Sequence, residues 1–180
     1  MKRKRWDEVL DRLPSHRRVM VEIGVWQGAL AKRLLEQRGA LMLTMVDPWV
    51  AGESNLSWYQ TGSKMAQRSQ AHMEENYQHV RAMAQLYVGR AQIIRLPSIE
   101  AAAQIVNGSQ DLVFIDADHS YEAVRSDLTA WAPKVRSGGY LGGHDFDAPR
   151  FPGVRQAVEE AFAADTIERG ADHCWFRRMP

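Results

Sequence analysis

Apolar positions fall into short runs separated by stretches with helical spacing. Residues 19–23 (Val-Met-Val-Glu-Ile) form the first run and 41–46 the second. Runs at 91–96 and 111–115 follow, then a glycine-flanked run around Tyr140 and Leu141. Unbroken apolar runs of this length read as strands buried on both faces. Between them, 28–37 places Leu30, Leu34 and Leu35 on one helical face. Residues 98–106, 121–131 and 154–164 also read as helices, and 174–177 as a last strand. Strand–helix–strand alternation needs crossover connections. The pattern therefore predicts an α/β fold, a mainly parallel sheet with helices on both faces.

The segment 50–90 breaks this rhythm. Residues 50–62 are rich in Gly, Ser, Asn and aromatics and read as a loop. Residues 63–86 are polar, with Met65, Met73, Tyr77, Val80 and Met83 at helical spacing. Such a stripe packs a core or forms a lid and substrate wall. No internal repeat or linker divides the chain, so 1–180 is expected to be a single domain. Residues 1–18 read as an N-terminal extension and 50–90 as an insertion for substrate recognition.

Composition narrows the classes without choosing among them. The chain has 180 residues, 45% hydrophobic and 25% charged, with a formal net charge of +1. That is a globular composition, and it gives no global reason for nucleic acid as a partner. The one cysteine, Cys174, excludes an intrachain disulfide and a cysteine-based zinc site. Residues 1–5 are basic, but Trp6-Asp-Glu follows where a signal peptide would be apolar. The basic start reads as a solvated tail. No apolar stretch approaches the roughly 20 residues that span a bilayer. A cytoplasmic protein is expected, with no membrane partner and a homodimer as the default assembly.

The most informative early feature is Glu22-Ile-Gly24-Val-Trp26-Gln-Gly28, where a strand gives way to a helix. Glycines there permit a tight turn and close approach of a ligand to the backbone. A dinucleotide fingerprint would need a middle glycine, and Trp26 stands in its place. No Gly-Lys-Ser/Thr follows, so a Walker loop fails as well. Glu22 would repel a phosphate and attract a cationic ligand. Asp47 ends the second strand, where an acid can accept hydrogen bonds from ribose hydroxyls. It can also cap a helix, with Pro48 suited to a first turn. Together these residues point to a nucleoside without phosphates that carries positive charge. S-adenosylmethionine (SAM) meets that description.

In these motifs the chain resembles the class I SAM-dependent methyltransferases. The resemblance sharpens at 111–122 (Asp-Leu-Val-Phe-Ile-Asp-Ala-Asp-His-Ser-Tyr-Glu) and at 137–146 (Ser-Gly-Gly-Tyr-Leu-Gly-Gly-His-Asp-Phe). It closes with Pro152-Gly-Val-Arg-Gln-Ala-Val158. The series is similar to a small bacterial subgroup near the macrocin and catechol O-methyltransferases. The resemblance implies a Rossmann-like, seven-stranded, mostly parallel sheet whose last strand, 174–177, is antiparallel. It also implies that Glu22, Gly24, Gly28, Asp47, Ser98 and Asp116 bind the cofactor. In the metal-dependent members the position of Asp116 and an adjacent acidic pair bind Mg²⁺. That pair falls here on His144 and Asp145.

Asp116, Asp118, His119, His144 and Asp145 follow the fourth and fifth strands, where ligands bind in parallel sheets. Asp116, His144 and Asp145 can hold a divalent cation. Oxygen ligands favour Mg²⁺, and an imidazole shifts the preference toward Mn²⁺ or another transition metal. Catalysis is expected from Asp116, with His144 as ligand or base and His119 as a second base. Structural roles compete at several positions. Asp118 or His119 could cap the helix at Tyr121, and Tyr121 itself could only pack. His144 could be a buried hydrogen-bonded histidine. Ser98 could cap its helix, and Trp49 and Trp58 could wall the site or fill the core. The expected function is methyl transfer from SAM to a hydroxyl of a small molecule. The alternatives are a nucleotide-dependent oxidoreductase, a non-catalytic SAM-binding subunit, and an RNA methyltransferase, favoured only by the basic start and Arg17-Arg18.

Overall fold

The computed structural model describes residues 2–13, 16, 18–51 and 69–180. The chain runs through α1 (Arg5–Arg12), β1 (Arg18–Ile23), α2 (Ala29–Gln37), β2 (Leu41–Val46) and α3 (Gln70–Gln85). It continues through β3 (Ala91–Ile94), α4 (Ser98–Ala102), β4 (Gln110–Ile115), α5 (Tyr121–Trp131) and β5 (Val135–Gly143). The end of the chain supplies α6 (Pro152–Ala161), β6 (Glu168–Arg169) and β7 (Trp175–Arg178). These strands form one sheet in the order β3-β2-β1-β4-β5-β7-β6. Strands β1 to β5 are parallel, whereas β7 pairs antiparallel with both β5 and β6.

Alternation along the strands divides the core in two. Met20, Leu43, Leu112 and Phe114 face α1, α2 and α3. Val21, Ile23, Val113 and Ile115 face α4, α5 and α6. Each such side chain, fully buried, contributes about 1.5–3 kcal/mol of transfer free energy. Because both faces are covered, these strands carry the unbroken apolar runs of the sequence.

Three elements depart from the expected pattern. Residues 5–12 form α1 instead of a solvated tail. Val9, Leu10 and Leu13 are buried and Trp6 packs beside them. Buried Glu8 accepts from Arg3 at 2.7 Å and from Arg12 at 3.0 Å. Strand β6 is a two-residue exposed edge with no apolar signal. The helix expected over 98–106 is a single five-residue turn of helix.

In the insertion, Met73 and Tyr77 pack against a core that includes Val80 and Met83. For these residues the stripe is packing. Trp49 is fully buried, its ring centroid 5.2 Å from that of Tyr77. Trp58, Met65 and the rest of residues 52–68, with most of the loop expected over 50–62, lie outside the described residues.

Ser98 opens α4 but does not cap it, because Pro97 holds the cap position. Its hydroxyl donates to Asp127 Oδ1 at 2.5 Å and accepts from the Trp131 indole N–H at 2.8 Å. This polar clasp ties α4 to α5. Asp127 is only 4% exposed, and burial raises its pKa to about 6, against the opposing hydrogen bond from Ser98. An acid with a raised folded pKa penalises the fold once ionised. The penalty is absent below the ordinary value near 4 and complete above about 6. Asp127→Asn keeps an acceptor for Ser98. It is expected to exceed wild type in stability at pH 7.5 by up to roughly 3 kcal/mol, at about 1.4 kcal/mol per pKa unit. Urea unfolding at pH 4 and 7.5 checks this: the gap closes at pH 4, and a pH-independent gap refutes the buried-charge account.

Candidate active site at the carboxyl edge of the sheet

The order 3-2-1-4-5 places a topological switch point between β1 and β4, where crevices open at the strands' carboxyl ends. Here Gly24 has φ +84°, and a Cβ on it would overlap the backbone carbonyl of Asp116. The glycine thus lets β1 and β4 run on side by side, and Asp116 N–H donates to Ile23 O at 2.8 Å. Gly28, with φ +75°, caps α2, and α3 covers it through Val80 and Met83.

Asp47 fastens the turn between these glycines. Its Oδ2 accepts from the N–H groups of Val25 and Trp26 at 3.0 and 2.9 Å, and its Oδ1 from Trp49 N–H at 2.7 Å. The Trp49 indole then donates to Trp26 O at 2.8 Å. Trp26 and Trp49 are both held at positive φ, +49° and +45°. Such values cost non-glycine residues roughly 1 kcal/mol or more each. The carboxylate collar supplies the bonds that hold them there. A carboxylate offers about four acceptor positions, so three donors leave one for a ligand hydroxyl. Asp47 caps the turn instead of a following helix.

Glu22 lies at the end of β1, 2% exposed, and its Oε2 has no hydrogen-bond partner among the described residues. Burial, then the nearby charges of Asp116 and Asp47, raise its pKa well above the usual carboxylate range. A buried acid without a partner is costly unless a donor or cation meets it. That need fits the ammonium of SAM.

The second half of the site gathers Asp116, His119, His144 and Asp145. His144 and Asp145 lie just past the end of β5, and Asp145 adopts the left-handed region with φ +61°. Asp145 Oδ2 lies 3.0 Å from His144 Nδ1 and 2.8 Å from His119 Nε2. Asp116 Oδ1 is 3.8 Å from His144 Nδ1 and 3.5 Å from His119 Nε2. These contacts are charge pairs, not aligned hydrogen bonds, since both nitrogens lack a well-directed acceptor. His119 also stacks on Phe151, with centroids 4.3 Å apart. Ser120, not Asp118 or His119, caps α5, and Asp118 accepts from Ser120 N–H at 2.8 Å. The Tyr121 hydroxyl donates to Glu160 at 2.5 Å, on α6.

Burial pulls the His119 pKa down, but the carboxylates of Asp116 and Asp145 outweigh it and hold the group up at about 9. The same balance raises His144, with Asp145 its principal partner. The Asp145 carboxyl is pushed well below its usual range, the two histidines overcoming burial. Ligand atoms of Asp116, His144 and Asp145 lie within 4.8 Å of one another, a donor set of two carboxylates and one imidazole. That chemistry fits a divalent cation with oxygen and nitrogen preference.

One residue of the site is absent from the motif reading. Arg5 of α1 donates through Nη1 to Asp116 Oδ2. Its own N–H donates to Asp172 Oδ2 at 3.2 Å, in the turn before β7. Among the residues expected to bind cofactor, Glu22, Gly24, Gly28, Asp47 and Asp116 lie at or just past the carboxyl ends of β1, β2 and β4. The Ser98 hydroxyl is engaged in the clasp with Asp127 and Trp131.

Comparisons with known proteins agree with this architecture. A protein-family model described as a methyltransferase domain matches residues 21–146. The O-methyltransferase NovP superposes with a TM-score of 0.65 at 19% identity, over 96% of this chain and 75% of that one. The calicheamicin methyltransferase CalS11 gives 0.68 at 17% identity, over 96% and 76%. A putative caffeoyl-CoA O-methyltransferase from Staphylococcus aureus gives 0.66 at 13% identity, over 100% and 85%. An uncharacterized protein of Sinorhizobium fredii, y4gI, is 37% identical over 62 residues, 34% of this chain and 7% of that protein.

A histidine-ring NMR titration is expected to put the His119 midpoint near 9, against an ordinary value of about 6.5. Stability from this group is complete below about 6.5 and is lost as pH rises through 9. Asp145→Asn is expected to lower the midpoint, and an unmoved midpoint near 6.5 in wild type refutes the assignment.

Proposed function

The chain belongs to the methyltransferase-domain family, and from that premise we propose that it transfers the methyl group of SAM to a hydroxyl oxygen of a small molecule. One observation carries the reading. At a single strand edge, the orphaned carboxyl of Glu22 and the collared glycine turn meet the acid–imidazole cluster around Asp116. The first half suits a cationic nucleoside, and the second suits an acceptor that must lose a proton. The O-methyltransferase neighbours are consistent with this in fold.

In methyl transfer the acceptor oxygen attacks the methyl carbon in line while the carbon–sulfur bond breaks, its electron pair staying on sulfur. The enzyme's task is alignment and proton removal. Glu22 meets the ligand's ammonium. Asp47 keeps one acceptor position for a ribose hydroxyl, and Gly24 lets the ends of β1 and β4 lie side by side, which brings Glu22 and Asp116 to one place. Asp116 sits between the two halves, positioned to orient the acceptor. His119 or His144 takes the hydroxyl proton. The neighbouring carboxylates raise the pKa of both imidazoles, His119 to about 9, and each becomes a base only once deprotonated. Asp116, His144 and Asp145 would hold a divalent cation, Mg²⁺ or more readily Mn²⁺, which when bound lowers the pKa of an acceptor hydroxyl. Among the described residues no helix is long and apolar enough to cross a membrane.

Titration calorimetry tests the cofactor half. SAM is expected to bind at micromolar concentration. Glu22→Gln and Asp47→Ala are each expected to weaken binding by roughly tenfold or more, the loss of one charge-assisted hydrogen bond. Heatless titration at millimolar SAM ends the proposal. The catalytic half is read as release of S-adenosylhomocysteine against a panel of phenols and sugar hydroxyls. Turnover is expected to climb with pH as His119 deprotonates through about 9. Asp116→Asn is expected to cut turnover by roughly 100-fold, the usual scale for a proton-handling group, while SAM affinity is kept. Equal turnover in Asp116→Asn and wild type removes the acid from the reaction.

A further inference from the structure

Arg5 and a divalent cation would make the same demand on this site, an oxygen of Asp116. The guanidinium already meets that demand through Nη1 and Oδ2. The three prospective cation ligands, Asp116, His144 and Asp145, cluster on the other side of the same carboxylate, with His144 Nδ1 3.8 Å from its Oδ1. Resting on the cation-binding reading above, we propose that Arg5 is the site's internal competitor for a divalent ion. Its guanidinium neutralises Asp116 until an ion displaces it, and so Arg5 sets the affinity for that ion.

The geometry says how displacement happens. Helix α1 is not free to leave. Val9, Leu10 and Leu13 are buried, Glu8 is bonded to Arg3 and Arg12, and the Arg5 N–H is tied to Asp172. The Arg5 side chain is different. It is 32% exposed against 14% for Asp116, so it has solvent to swing into while its helix stays docked. Exchange is therefore a side-chain rotation about a fixed backbone. An arginine stays charged at any working pH, so the competition does not fade as the solution turns alkaline.

Mn²⁺ is the probe, with unbound ion counted by electron paramagnetic resonance and the full chain as the protein. Arg5→Gln is expected to bind Mn²⁺ at least roughly tenfold more tightly than wild type. Arg5→Lys keeps the charge and is expected to stay within about threefold of wild type. Arg5→Gln combined with Asp116→Asn is expected to lose the gain. Arg3→Gln removes a neighbouring positive charge that pairs with Glu8 and Asp11, not Asp116, and is expected to change nothing. Equal affinity in Arg5→Gln and wild type overturns the proposal. So does an Arg3→Gln gain as large as that of Arg5→Gln, which would reduce the effect to net charge. If neither wild type nor Arg5→Gln binds Mn²⁺ at millimolar concentration, the inference falls together with the cation reading, while SAM binding stands or falls by its own titration.

Discussion

The close approach of β1 and β4 at Gly24 is the constraint on which the site depends. Any Cβ there would overlap the Asp116 carbonyl. Without that approach the strands would diverge one residue earlier, and Glu22 and Asp116 would no longer feel each other's charge. The glycine turn and the acid–imidazole cluster are thus two ends of one backbone contact. Asp47 fixes the first end by three backbone hydrogen bonds, and Asp145 fixes the second by a left-handed turn.

The cluster stands out for how its charge is arranged. Two half-buried carboxylates meet three basic groups, from three separate parts of the chain: Arg5 of α1, His119 before α5 and His144 after β5. Each histidine is drawn toward its charged form by the same Asp145, and Asp116 is met by the arginine. A site neutralised from within resists adventitious ions. It must give something up for each cation it admits.

Most of the fold was legible in the sequence because its strands are buried on both faces. Val19 to Ile23 and Asp111 to Ile115 read as strands from composition alone, and the last antiparallel strand followed from resemblance. Strand β6 was illegible, since Glu168 and Arg169 are exposed edge residues whose pairing depends on β7. Helix α1 carried a signal that basic charge obscured: Trp6, Val9, Leu10 and Leu13 stand at i, i+3, i+4 and i+7. Of the site, Glu22, Gly24, Gly28, Asp47, Asp116, His119, His144 and Asp145 were legible as residues at the ends of parallel strands. Their connections were not. Which donors Asp47 serves, the left-handed turn of Asp145 and the arrival of Arg5 are tertiary facts, set by distances that no spacing in the chain encodes. Ser98 shows the reverse case, a motif position whose hydroxyl is claimed by Asp127 and Trp131.

The Asp47 collar bears on a matter other than binding strength. On the reading proposed above Asp47 is the ribose seat, and its bonds to Val25, Trp26 and Trp49 fix it in place. S-adenosylmethionine and its demethylated product share the same ribose, adenine and ammonium, and a rigid seat reads them alike. The difference between them is the methyl group and its positive charge on sulfur. On that reading, telling fresh cofactor from spent falls to the surroundings of the sulfur, where the basic groups of Arg5, His119 and His144 offset the carboxylates of Asp116 and Asp145. That balance of charge, more than the ribose seat, then separates the two forms.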